Sequence, residues 1–115
     1  MKQTNVWLPV YAADNSAVCS ALYELGGLIV MHDASGCNST YTTHDEPRWF
    51  DRPADVFITG LTEADAVLGN EQRMMDDIAA AAREVNPEFI AIAGTPIPMM
   101  MGCDYDGIAR ELESR

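Results

Sequence analysis

The sequence predicts an α/β fold, a three-layer domain with one short parallel sheet flanked by helices on both faces. Two observations carry this. Short, wholly apolar runs alternate with longer amphipathic segments along the chain, the pattern of parallel strands buried on both faces and joined by helical crossovers. Apolar residues make up 48% of the 115 residues, enough for a real core in one compact domain spanning 1–115.

Each element follows from local signals. Asp14, Asn15 and Ser16 are good helix caps; "AVCSALYEL" continues as helix formers and ends at Gly26-Gly27, so a helix is expected over 15–25. "GLIVMH" reads as a buried strand. "ASGCNSTYTTHDEPRWFDRPA" is polar and holds two prolines. It allows a helix starting near Ser35 and is otherwise loop. "DVFITGL" is a second strand, and "TEADAVL" a helical turn capped by Thr62. Gly69-Asn70 opens the helix "EQRMMDDIAAAAREV", in which Met74, Ile78, Ala81, Ala82 and Val85 share one face. Asn86-Pro87 ends it. "EFIAIAG" is a third buried strand, "TPIPMMMGCD" a loop and "YDGIARELE" a last helix.

Composition excludes several functions. A formal charge of −11 repels nucleic acid and anionic membranes. It marks either a solvated acidic surface or one that attracts a basic partner. No apolar run reaches the length of a membrane span. The amino terminus, interrupted by Pro9, makes a poor signal peptide, so a cytoplasmic location is expected. The three cysteines, Cys19, Cys37 and Cys103, are too few and too widely spaced for a disulfide framework or a zinc ribbon.

Open parallel sheets bind ligands beyond the carboxyl ends of their strands. "HDASGC", "TGLTEAD" and "GTPIPMMMGCD" lie there. Cys37 falls at that rim, near a helix start that favours a thiolate. Cys19 sits on a helix running down against the first strand, which brings it towards the same end. Cys103 follows the third strand. Each has a plainer reading: a cysteine is often a small buried hydrophobe, and His32 at a strand end is as readily a structural histidine as a ligand. The Met99–Met101 run suits core or interface filling, and Glu63 and Asp65 suit an ordinary helix start. No Ser-His-Asp spacing appears, and no phosphate loop, because Gly26-Gly27 precedes a strand instead of following one. His44, Asp45, Glu46, Arg48 and Trp49 crowd the 42–50 loop, as local salt bridges or as an interface element.

These segments resemble a known family. "VMHDASGCNSTY" is similar to the "HG-x-x-GC" segment of nitrogenase component 1-type oxidoreductases. "GLTEADAVLGNEQRMMDDI" is similar to the family's "L-x-E-x-D-x-x-x-G" and following helix. "PEFIAIAGTPIPMMMGCDYDGIA" is similar to its strand, threonine loop and "GDD"-type helix start, and "AVCSALYELGG" to its first cysteine helix. The resemblance runs from about Asp14 to Glu113. It implies a Rossmann-like amino-terminal domain whose cysteines hold an iron–sulfur cluster at a subunit interface. The matching ligands are Cys19 and Cys37, and two chains would together supply the four thiolates of a [4Fe–4S] cluster. It implies a homo-oligomer or a paired homologous subunit, fed with electrons by an ATP-dependent iron–sulfur reductase. Pro96 stands where the family has a third cysteine, so the larger eight-iron cluster is not expected. Asp33 replaces the family's glycine after His32. Cys103, His32 and Asp33 are secondary ligand candidates. Family catalytic subunits have three such domains and this chain matches the first, as a piece of a larger subunit or as a stand-alone domain. Two other readings stay open: a binding or scaffold module that has lost the cluster, and a mononuclear zinc site from Cys37, Cys103 and His32 or His44.

Overall fold

The structure is a computed structural model that describes residues 17–22, 25–34, 55–69 and 71–115. In chain order it contains helix α1 (Ala17–Leu22), strands β1 (Leu28–His32) and β2 (Asp55–Ile58), helices α2 (Glu63–Leu68) and α3 (Glu71–Val85), strand β3 (Ile90–Gly94), and helices α4 (Pro96–Met101) and α5 (Tyr105–Glu113). The strands form one parallel sheet in the order β2-β1-β3. The expected α/β architecture is therefore present.

β1 is central, lying between β2 and β3. All five of its residues are buried. Strand alternation divides them between two cores. Ile29 and Met31 pack with Cys19 of α1 and Ala93 of β3, flanked by Val56 and Ile58; this is the α1 face. Leu28 and Val30 pack with Met74 and Ile78 of α3 and Ile108 of α5; this is the α3 face. The helical stripe read from sequence is the one α3 buries, with Met74 and Ile78 buried and Ala81, Ala82 and Val85 partly so. Arg115 donates to Asp76 at 2.7 Å and fastens the end of α5 to α3.

Three expectations need correcting. The segment 95–104 is not all loop, because Pro96–Met101 is helical, with Gly102 in the left-handed conformation as its C-cap. Proline at the first helical position costs no hydrogen bond, because that N–H has no partner in any helix. The third strand is not buried throughout: Ile90 is exposed and only Ala93 is fully covered, because β3, like β2, lies at the sheet's edge. The first helix ends short of Leu25, which lies in a bend with its N–H on the Leu22 carbonyl. Cys37, His44, the possible helix from Ser35 and the 42–50 loop lie outside the described residues. Among those described, no helix is long and apolar enough to cross a membrane.

Candidate functional site

The chain steps from β1 to β2 on one side, then crosses back over β1 to β3 on the other. That reversal opens a crevice at the carboxyl end of the sheet, where doubly wound folds place their ligands. The rim here is built from His32 and Asp33 after β1, Thr59 after β2, and Gly94 and Thr95 after β3.

The β1–β2 ladder runs past the assigned strand. Thr59 N–H donates to the Met31 carbonyl at 3.1 Å and Leu61 N–H to the Asp33 carbonyl at 2.9 Å. His32 and Thr59 thus meet as a cross-strand pair, with His32 Nδ1 2.8 Å from Thr59 Oγ1. The Thr59 hydroxyl also accepts from Asp33 N–H at 3.3 Å and donates to the Asp33 carbonyl at 3.4 Å. The set is complete when Nδ1 carries the imidazole proton. Asp33 is 2% exposed, and its Oδ1 accepts from Ala34 N–H at 2.8 Å.

Burial holds His32 below its ordinary value of 6.5, against the opposing pull of Asp33, Glu71 and Asp65. The sign follows. The unfolded chain takes the proton first, so stability is full above the ordinary value and falls as pH drops towards the lowered one. A urea midpoint measured from about pH 7 to about pH 5 is expected to decline. The His32 part of that decline is lost in His32→Gln; an unchanged slope in that variant would show that other groups carry it.

On the α3 face, a cleft of about 300 Å³ opens beside β2. His32, Thr59 and Cys103 stand at its strand-end corner, Phe57 and Met74 form apolar walls, and Glu71 lies at its edge. Tyr105, the first residue of α5, meets the His32 ring edge-on, with centroids 6.4 Å apart. Burial, followed by Glu71, pushes the Cys103 thiol up. Burial and the neighbouring Cys103 push the Tyr105 hydroxyl up as well. Both groups are thereby held protonated. The Tyr105 hydroxyl, though beside Cys103, has no partner of good hydrogen-bond geometry among the described residues.

Of the candidate residues, Cys19 lies on the α1 face, 0% exposed in its core. Cys103 and His32 lie on the opposite face. The sheet separates Cys19 from Cys103. Among the described residues no group of three or more His, Cys, Asp or Glu side chains converges to hold a metal ion.

Thr59, Tyr105 and Thr95 are rim residues that sequence reasoning missed. Thr95 is 5% exposed, and its Oγ1 has no hydrogen-bond partner among the described residues. A hydrophilic residue directly after an apolar strand is the signal available for Thr59 and Thr95.

The sequence was compared with known proteins. Residues 21–115 match the family described as nitrogenase component 1 type oxidoreductase. The chain belongs to that family. Among similar members, the nitrogenase molybdenum-iron protein beta chain of Methanothermobacter thermautotrophicus is 32% identical over 88 residues, 76% of this chain and 19% of the relative. The protein of the same name from Frankia alni is 30% identical over 101 residues, 85% of this chain and 19% of its own length. That from Sinorhizobium fredii is 30% identical over 84 residues, 73% of this chain and 16% of its own. The chain thus spans about a fifth of the length of these curated relatives. The family match takes in Cys37 and begins just past Cys19.

Proposed function

We propose that this chain is an electron-transfer domain of the nitrogenase component 1 type, holding an iron–sulfur cluster at a subunit interface through Cys19 and Cys37. The observation that carries the reading is the family match across 21–115. Further support comes from the donor chemistry. A cluster asks for thiolates in a dry setting, and Cys19 is a fully buried thiol on the α1 face, packed against Met31 near the carboxyl end of β1. Two thiolates per chain fall short of the usual four, so two chains would share one [4Fe–4S] cluster. The partner is a second copy or a homologous subunit, in keeping with relatives named as the beta chain of a molybdenum-iron protein. A reductase carrying its own iron–sulfur cluster would deliver the electrons.

When bound, the cluster supplies a one-electron store. The chain's own part is to exclude water, which the packing of Ile29, Met31 and Ala93 around Cys19 does, and to deliver Cys37 from the segment that follows β1.

Iron and acid-labile sulfide per chain, measured on anaerobically prepared protein alongside its visible spectrum, test this. About two of each, with broad charge-transfer absorption, is the expected result for one four-iron cluster between two chains. Zinc without sulfide would point to a mononuclear site. No metal after reconstitution would leave a binding module in which Cys19 is core packing.

A further inference from the structure

We infer that the cleft on the α3 face is a binding site for a small organic cation, a primary ammonium on an apolar body the size of one aromatic ring. The inference stands apart from the cluster reading, and either can fail without the other. It starts from the walls of the cleft. Phe57, Met74, Ile78 and Ala81 surround about 300 Å³, the lower end of the range that small-molecule sites occupy. Phe57 lies in register with Val30 of the α3-face core, yet it is 43% exposed. An aromatic face is thus left open beside α3.

The polar groups gather at one corner. His32 follows Val30 by two residues along β1, so it faces the same side of the sheet, and it lines the cleft. It is 5% exposed, and its Nδ1 is taken by Thr59 at 2.8 Å. Nε2 makes no hydrogen bond among the described residues. It is not sealed in either, because the buried side-chain atoms without a partner there are Thr95 Oγ1 and the Tyr105 hydroxyl oxygen. With the proton on Nδ1, Nε2 is a lone pair open to the cleft. Burial favours the uncharged ring, which accepts a hydrogen bond and does not repel a cation.

Charge selects the ligand. Asp65, Glu71 and Asp77 line the cleft against one base, Arg73, whose guanidinium already pairs with Asp77 at 3.9 Å. Asp65 and Glu71 both raise the proton affinity of His32, and Glu71 acts on the Cys103 thiol as well. These two carboxylates therefore stand at the same corner as Nε2. An anion is repelled there. A bare metal ion is not held, because no three of the described His, Cys, Asp and Glu side chains converge on one point, and metal bonds of about 2–2.6 Å demand that they do. An ammonium reaches further, through hydrogen bonds of about 2.7–3.2 Å, and brings its own apolar stem to fill the walls. It donates to Nε2 and to the Glu71 carboxylate, while the stem lies against Phe57 and Met74.

Phenethylammonium is the probe, titrated into the chain while the Phe57 ring and Met74 methyl resonances are followed by NMR. It should bind at least about tenfold more tightly than phenethyl alcohol, because its donor is charged. Hydrocinnamate, of similar size and opposite charge, should not bind. Glu71 is exposed, so Glu71→Gln keeps the fold; it should weaken the ammonium about five- to tenfold and leave the alcohol unchanged. Ala81→Phe fills the cleft from α3 and should abolish binding of both. Equal affinity for ammonium and alcohol would make the cleft a plain apolar groove and overturn the inference. Full affinity in Glu71→Gln, or in a folded Ala81→Phe chain, would put the ammonium elsewhere on the acidic surface and overturn it too. So would the absence of binding by any probe at millimolar concentration.

Discussion

Cys37→Ser is expected to strip the protein of iron and sulfide while leaving it folded. Cluster irons are usually held by thiolates, and a serine hydroxyl, protonated at neutral pH, is a much poorer ligand. With one ligand lost from each chain, two thiolates remain where four are needed, so bound iron should fall to about a tenth or less of the parent's. The fold control is the urea midpoint, which should hold, because the two described cores are built from other residues. Full retention of colour in this variant would remove Cys37 from the ligand set. Cys19 needs different handling. It is itself a core residue packed against Ile29 and Met31, so Cys19→Ser also buries a hydroxyl in apolar surroundings, at about 1–3 kcal/mol. Cys19→Ala separates the two effects, because it adds no polar atom.

Gly94→Ala is expected to be the costliest single-methyl change at the rim. A Cβ there would overlap the Tyr105 hydroxyl and ring. The φ of Gly94 is not in the left-handed region, so the cost is steric and not conformational. Displacing the ring should cost about 1–3 kcal/mol and break its edge-on contact with His32. The diagnostic is the double mutant. Gly94→Ala in a Tyr105→Ala background meets no ring, so the two changes should be non-additive by at least about 1 kcal/mol in urea unfolding. Strict additivity would show that Tyr105 yields without strain.

Much of the fold was legible locally. The last helix coincides with "YDGIARELE". Thr62 caps α2 as read, in a capping box with Asp65, whose backbone N–H donates to the Thr62 hydroxyl at 3.2 Å. The stripe from Met74 to Val85 is the face that α3 buries. All these signals lie within one turn or one helix. "TPIPMMMGCD" was misread because proline is a breaker inside a helix but an acceptable opener, and only the position of the helix start decides between the two. The candidate site was less legible. His32 and Thr59 are 27 residues apart, and nothing local announces a pair that exists only once β1 and β2 are in register. The division of Cys19 from Cys103 is likewise a matter of which face of the sheet their neighbouring helices pack on, which spacing along the chain does not reveal. Thr95 reads as an ordinary helix cap, and nothing local shows that its side chain makes no cap bond.

The two prolines that open α4 have a kinetic consequence. Pro96 and Pro98 lock φ on both sides of Ile97, so the wall of the rim after β3 has few soft torsions left. Pro98 is also fully buried. A wall that stiff barely relaxes when the charge beside it changes by one. If the rim passes single electrons as proposed, that stiffness would lower the reorganisation barrier, through backbone covalent geometry and not added contacts.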